Sequence, residues 1–156
     1  MRAVRRLALG CVAFAAAACA VPITLPAEFV QLRDAGDGYR AVTSDGARVW
    51  VRELWDPTDA GAEFWADSLR ADLVGRRGYE LVDEGEVQSG DGDAGRWLEL
   101  IGDVGGRRVG YLVACWPHDK WLRSGKYLQV VEFAAEAEVY AARVDAVRAA
   151  LGTVRW

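Results

Sequence analysis

The chain's single histidine stands in a short polar cluster whose residue types could carry chemistry. His118 and Asp119 lie between Trp116 and Trp121, in the sequence Trp-Pro-His-Asp-Lys-Trp. A histidine beside a carboxylate can act as a base with its orienting partner, and a tryptophan can offer a flat surface to a ligand. The candidate functional residues are therefore Trp116, His118, Asp119 and Trp121.

The sequence lacks the other parts of a hydrolytic site. A Ser-His-Asp site needs a nucleophile on a positioned turn, and no Gly-x-Ser-x-Gly motif occurs. A nearby serine such as Ser124 would have to serve, so a hydrolase using His118 and Asp119 stays open as one alternative. We expect no enzymatic activity and interpret the cluster as a surface that binds a partner.

Metal and cofactor sites are also not indicated. One histidine without a second histidine or cysteine nearby supplies too few ligands for a zinc site. The segment Asp91-Gly-Asp-Ala-Gly95 places its glycine one position early for a calcium loop, and its twelfth position is Gly102 instead of glutamate. The sequence therefore predicts no metal and no cofactor.

The N-terminus has the pattern of an export signal. Arg2, Arg5 and Arg6 precede the uncharged run Leu7 to Ala18, and the small residues Ala16, Ala17 and Ala18 stand directly before Cys19. This segment resembles the lipobox of bacterial lipoproteins, in which the cysteine is acylated and becomes the new N-terminus. The resemblance implies a lipidated Cys19 and a place in the bacterial cell envelope, on the outer membrane or the outer face of the cytoplasmic membrane.

Two other fates of this segment stay open. Cleavage after Ala18 or Ala20 would release a soluble secreted or periplasmic protein. An uncleaved anchor would have to use Leu7 to Val21, which is shorter than the ~20 residues that cross a bilayer.

The pattern divides the chain into three parts. Residues 1–18 form the predicted signal peptide, residues 19–27 a lipidated tether and residues 28–156 one domain. The tether is predicted because Ala20 to Ala27 contains two prolines, no charge and no helical periodicity.

Charge and cysteine content narrow the class of partner. Removal of residues 1–18 takes away three arginines and no acid, which leaves 16 basic and 23 acidic residues and a net charge of −7. This balance disfavours nucleic acid, whose binding depends on clustered cations. After Cys19 the only cysteine is Cys115, in an apolar run that predicts a small buried side chain and no intramolecular disulfide.

Periodicity predicts an α+β domain. The predicted strands are 39–43, 47–54, 79–88, 96–104, 107–116 and 126–134, and the predicted helices begin near Pro57 and Ala135 and end near Gly75 and Leu151. The connections 89–95 and 105–106 are too short for a crossover helix, so the strands they join are antiparallel. The strand 107–116 is apolar on both faces, which is typical of a sheet covered by layers on both sides. We expect a largely antiparallel six-stranded sheet flanked by two main helices, in the order ββ-α-ββββ-α.

Three local features accompany this order of elements. They are the aromatic pair Phe64-Trp65, the dipeptide Gly78-Tyr79 before a strand and an amphipathic final helix. Together they resemble the PsbP-like α/β/α sandwich, whose members include extrinsic photosystem proteins, a Ran-binding transport factor and many bacterial lipoproteins. The resemblance implies a rigid scaffold that binds a partner, and it supplies no binding residues.

The chain contains seven tryptophans, more than one core of this size ordinarily needs. Trp50 and Trp65 fit buried positions of a strand and a helix. Trp55, Trp121 and Trp156 lie near element ends, where rings are often partly exposed and can anchor a partner.

These observations favour a membrane-tethered, non-enzymatic lipoprotein that binds another envelope protein. One alternative is a small-ligand carrier, which would need a pocket of ~300 Å³ or more between sheet and helix. The hydrolase using His118 and Asp119 is the other.

Overall fold

The computed structural model describes residues 21–33, 36, 38–119 and 125–156. Its centre is one antiparallel sheet in the spatial order β1-β2-β3-β7-β6-β5-β4. The strands are β1 Val30–Gln31, β2 Tyr39–Val42, β3 Arg48–Asp56, β4 Glu80–Gln88, β5 Ala94–Val104, β6 Arg107–Asp119 and β7 Lys126–Glu136.

Among the residues that the structure describes, the sheet has seven strands, so the prediction of six was wrong. The additional strand, β1, pairs Val30 with Val42 and Gln31 with Ala41 at the outer edge of β2. Two residues are too few to show an alternating pattern, and only pairing with a neighbour identifies them as a strand.

The strand β6 continues three residues beyond its predicted end at Trp116. Its register with β5 stops at Cys115, whereas its register with β7 continues to Asp119. Pro117 thus lies where one edge of β6 is unpaired, which is where a strand tolerates a residue without an N–H group. The predicted loop from Pro117 is correspondingly shorter.

The helices also differ in detail from the prediction. Helix α1, Ala62–Arg70, continues as a π-helical segment, Ala71–Arg76. The single helix expected from Ala135 is divided into α2, Ala137–Ala141, and α3, Val144–Ala150, followed by a 3₁₀ turn, Leu151–Thr153. Arg143, at the break between α2 and α3, has a non-helical φ of −126°.

The domain has three layers, as the α/β/α prediction requires. Helix α1 packs on β5 and β6, whereas α2 packs on β6 and β7 from the opposite face. Two separate apolar clusters fill the two interfaces. The first includes Leu112, Ala114, Trp116, Val131, Phe133, Tyr140, Val147 and Leu151, and the second includes Leu73, Leu98, Leu100, Val113, Cys115, Leu128 and Val130.

Two glycines allow aromatic rings to lie directly on the sheet. A Cβ atom at Gly110 would lie 2.1 Å from Cγ of Tyr140, and one at Gly95 would lie 2.3 Å from Cδ1 of Trp116. Glycine within a strand often marks such a close approach.

Residues before position 28, the predicted start of the domain, also pack against its body. Ile23 is 1% exposed and belongs to the first apolar cluster. The Arg155 N–H donates to the Pro22 carbonyl at 2.9 Å, and the Thr24 N–H donates to Thr153 Oγ1 at 2.9 Å. Cys19 and Ala20 lie outside the described residues, and the part of the predicted tether from Pro22 onward is packed against the domain.

Both described chain ends lie at one end of the sheet. There β3 ends at Asp56, β6 ends at Asp119 and β7 begins at Lys126, in paired register. The Trp156 ring stacks on His118 with a centroid separation of 4.3 Å. We call this the proximal end, and the opposite end, which carries the turn at Gly105 and Gly106, the distal end.

Candidate functional site

The structure places two of the predicted site residues in the interior. Trp116 is 0% exposed and covers Gly95, and the side chain of His118 is buried beneath Trp156. His118 Nε2 lies 3.4 Å from Glu53 Oε1. The rings of Trp116 and His118 therefore pack within the domain and offer no surface to a partner in this arrangement.

The other two predicted residues lie elsewhere. Successive side chains of a strand point to opposite faces, so Asp119 points away from His118 and cannot orient it as a base. Asp119 is exposed and pairs with Lys126, with Nζ and Oδ2 3.2 Å apart. Trp121 and Ser124 lie outside the described residues, and the binding role of this cluster stays a prediction.

A different surface has the geometry of a binding site. Helix α1 packs over β5 and β6, and none of the described helices covers the same face of the sheet over the outer strands β1, β2 and β3. A groove of about 580 Å³ lies there. We call it the sheet groove, and its lining includes Leu32, Arg40, Val42, Arg48, Trp50, Tyr111, Glu132 and Ala134.

Strand register brings the central residues of the groove together. The tight turn between β2 and β3 sets Arg40 opposite Trp50, and Trp50 is in turn opposite Glu132 on β7. Alternation along β3 directs Arg48, Trp50 and Arg52 into the open face, while Val49 and Val51 enter the core on the other side.

Trp50 lies between two guanidinium groups. The Cζ atoms of Arg40 and Arg52 are 4.4 Å and 4.3 Å from the centre of the Trp50 ring. Cation–π contacts of this kind hold the ring and both cations in fixed positions. Trp50 is partly exposed, so the prediction that it is buried was wrong.

The negative charge of Glu132 is compensated by side chains beside it in the groove. Arg52 Nη2 lies 3.1 Å from Glu132 Oε2, and the Tyr111 hydroxyl donates a hydrogen bond to the Glu132 carboxylate. Desolvation and the charge of Glu132 raise the pKa of Tyr111 well above its usual range, so this hydroxyl stays a neutral donor.

The positive charge of the groove is only partly compensated. Neither Arg40 nor Arg48 forms a salt bridge with a described residue, although the chain carries a net charge of −4. Leu32, Val42 and Ala134 add apolar surface beside them. The groove can therefore hold a carboxylate or phosphate against its cations and an apolar group against Leu32, Val42 and Ala134.

Part of this site could be predicted from the sequence. The pattern Arg48-x-Trp50-x-Arg52 on a predicted strand places three long side chains on one face, which is unusual for a buried surface. The contribution of Glu132 and Tyr111 depends on the register of β7 and β6, which no local pattern reveals.

The described part of the chain has neither a candidate metal site nor a candidate membrane-spanning helix. Residues 21–33, 36, 38–119 and 125–156 contain no group of three histidine, cysteine or acidic side chains placed to hold a metal ion. Within the same ranges, no helix has the length and apolarity that a membrane crossing requires.

The fold is shared with proteins of known structure. LpqN of Mycobacterium tuberculosis, described as involved in cell envelope biogenesis, aligns with a TM-score of 0.67 and 10% identity over 83% of this chain and 78% of LpqN. PA94 of Pseudomonas aeruginosa, a protein of unknown function described as a putative regulator, aligns with a TM-score of 0.57 and 14% identity over 83% of this chain and 97% of PA94. The yeast Ran-binding protein Mog1p aligns with a TM-score of 0.49 and 16% identity.

Sequence comparison adds no relationship to these structural ones. No protein-family model matches the chain, and no curated protein sequence matches it significantly. At identities of 10% and 14%, the likeness to LpqN and PA94 establishes the α+β fold alone.

Proposed function

We propose that this protein is a lipid-anchored, non-enzymatic binding module of the bacterial cell envelope, and that its sheet groove holds an acidic segment of a partner protein. The observation that carries the proposal is a pair of arginines, Arg40 and Arg48, that form no salt bridge with any described residue and lie beside a clamped and partly exposed Trp50. Cationic and aromatic side chains are enriched where protein interfaces bind tightly.

Charge supports an acidic segment as the ligand. The groove concentrates cations on a domain whose net charge is negative, so it attracts an acidic segment while the rest of the surface repels acidic proteins. Glu132 already pairs with Arg52 and Tyr111, so it does not compete with a carboxylate of the partner for Arg40 and Arg48.

The envelope location is supported by two independent features. The N-terminal pattern that ends at Cys19 resembles the signal of bacterial lipoproteins. The fold is similar to that of LpqN, which is described as involved in cell envelope biogenesis.

A photo-crosslinking experiment tests the groove. A photoreactive amino acid at Leu32, which is exposed at the groove, should capture a protein partner in living cells, whereas the same group at Val82, exposed on β4, should not. Binding of the captured partner should weaken at least tenfold in Arg40→Glu and in Trp50→Ala, and should weaken further as salt rises. Arg76→Glu, on the exposed π-helical segment, is the matched charge control. Equal capture at both positions, or equal binding by Arg40→Glu and Arg76→Glu, would contradict the proposal.

Metabolic labelling tests the anchor. Cells given labelled palmitate should incorporate it into the protein but not into a Cys19→Ala variant. A protein that stays unlabelled would contradict the lipid anchor and favour the secreted or periplasmic alternative.

The volume of the groove favours a small-ligand carrier as a second candidate. About 580 Å³ exceeds the ~300 Å³ that such a carrier needs. The groove lies on the open sheet face, however, and the carrier hypothesis placed its pocket between sheet and helix. Native mass spectrometry of the purified protein distinguishes the two, because a carrier would retain a small anionic molecule that Trp50→Ala loses.

A further inference from the structure

The sheet groove has two parts that differ in charge. Among its described lining residues Arg40 and Arg48 are the cations, and Glu132 is the one acid. Strand register separates them, because the two arginines lie on β2 and β3, whereas Glu132 lies on β7, opposite Trp50. We call the part at Arg40 and Arg48 the outer subsite, and the part at Glu132 and Tyr111 the inner subsite.

The inner subsite offers hydrogen-bond acceptors to a ligand. The Tyr111 hydroxyl donates its one proton to the Glu132 carboxylate, so its oxygen is left as an acceptor. Tyr111 is bonded to Oε1 of Glu132 and Arg52 is paired with Oε2, and each carboxylate oxygen can accept a second bond. A ligand group that reaches the inner subsite therefore meets acceptors, which suit an N–H or O–H group.

The positive charge of Arg52 is already used by its neighbours. Its Nη2 lies 3.1 Å from Glu132 Oε2, and its Cζ lies 4.3 Å from the centre of the Trp50 ring. Arg52 is not among the described residues that line the groove, whereas Glu132 is. The ion pair has no net charge with which to attract an anion, and its carboxylate is the member that faces the ligand.

We propose that Glu132 determines the specificity of the sheet groove, which accepts a partner segment with an acid at the outer subsite and an uncharged hydrogen-bond donor, such as an amide or a hydroxyl, at the inner subsite. This inference rests on the proposed binding function of the groove. A carboxylate at the inner subsite would face Glu132 at close range, and interfaces reject wrong partners by such repulsion. Glu132 thus excludes uniformly acidic segments that Arg40 and Arg48 alone would attract.

Binding of two synthetic peptides to the purified full chain tests this role. One peptide is octaglutamate, and the other, the mixed peptide, has the same length with two adjacent glutamates followed by glutamines. Isothermal titration calorimetry measures the Kd of each. Glu132→Gln is the informative variant, because it keeps the side-chain length and an acceptor for Tyr111 but removes the charge.

Glu86→Gln is the matched control for the change in charge. Glu86 Oε1 also lies 3.1 Å from an arginine nitrogen, Nη1 of Arg96. Glu86 lies on β4, three strands from β7 in the sheet, which is about 14 Å at ~4.8 Å per strand. This separation exceeds the Debye length of ~8 Å at physiological ionic strength, so the control frees an arginine without changing the groove.

We expect Glu132→Gln to tighten octaglutamate binding at least tenfold and binding of the mixed peptide no more than threefold. The gain should shrink as salt rises, because a charge has been removed. Glu86→Gln should change either affinity less than twofold. Arg52→Gln is a second variant that acts in the opposite direction, because it leaves the charge of Glu132 uncompensated. It should weaken octaglutamate binding at least fivefold more than binding of the mixed peptide.

The outcomes separate this inference from the proposed function. If Glu132→Gln changes both affinities by the same factor, or acts as Glu86→Gln does, Glu132 does not determine specificity. The groove remains a site for acidic segments in that case, provided that Arg40→Glu weakens binding of the mixed peptide. If the native protein does not bind the mixed peptide, or if Arg40→Glu leaves that binding unchanged, the proposed function is wrong and this inference falls with it.

Discussion

Replacement of Ile23 by alanine tests whether the folded body begins before residue 28. Ile23 is 1% exposed among the side chains of the first apolar cluster. Isoleucine-to-alanine changes in a core cost about 2–5 kcal/mol, and a segment held by few hydrogen bonds can settle partly into the cavity. We therefore expect a loss of about 2–3 kcal/mol in the free energy of unfolding, or about 8–12 °C in Tm for a domain of this size.

Urea unfolding followed by circular dichroism measures this loss on a chain that begins at residue 20. Val21→Ala is the matched control, since Val21 is exposed in the same segment and its truncation should change stability by no more than about 0.5 kcal/mol. If Ile23→Ala lowers the free energy of unfolding by less than about 0.5 kcal/mol, with an unchanged m-value in urea, Ile23 does not belong to the core. Residues 19–27 would then be the free tether that the sequence predicts.

Three further predictions concern the core and the proximal end. Gly110→Ala should cost about 3 kcal/mol in urea unfolding, because its Cβ would lie 2.1 Å from the ring of Tyr140 and the ring must shift. Burial disfavours the ionised form of Asp56, but hydrogen bonds, including one from Trp65 Nε1 at 3.0 Å, outweigh it and hold the pKa below its usual value. The stabilisation from Asp56 should therefore be complete above about pH 4 and decline as pH falls below it, and Asp56→Asn should flatten this acid limb of the stability curve. Burial raises the pKa of the Cys115 thiol to about 12, so at pH 8 it should react with iodoacetamide only after unfolding in urea.

Each of these predictions has a control and a contradicting result. Gly75→Ala should leave stability unchanged or slightly raised, since no atom lies within 4 Å of the added carbon, and equal effects at Gly75 and Gly110 would contradict the packing argument. Asp119→Asn, at an exposed carboxylate, should retain the acid limb that Asp56→Asn loses. If Cys115 in the native protein is alkylated as fast as in the unfolded protein, the second apolar cluster does not shield it from solvent.

The main strands and the layered architecture were predictable from local pattern. Asp45-Gly46 between alternating runs predicted the β2–β3 hairpin, and the short connections before Arg96 and Arg107 required antiparallel neighbours. The two-faced apolar pattern of 107–116 correctly indicated a strand covered on both sides. Trp55 and Trp156 were predicted to be partly exposed, and the structure confirms this for both.

The candidate site was predictable only in part. Trp116 and His118 stand in a polar stretch of sequence, which favoured a loop, yet the register with β7 carries β6 through Pro117 and turns both rings into the core. Trp50 was interpreted as a buried strand position, although Arg48 and Arg52 lie on the same face of β3, because strand periodicity does not say which face a helix covers.

The amino-acid sequence by itself determines the element types, the antiparallel connections and the acidic charge of the domain. These properties depend on side-chain periodicity, turn chemistry and composition, which are local or additive along the chain. The tertiary structure alone decides that Ile23 belongs to the core, that α1 leaves one half of the sheet open, and that Arg40, Trp50 and Glu132 form one row. Each of these depends on contacts between residues far apart in sequence, whose partners are set by strand register and by the space that neighbouring elements leave.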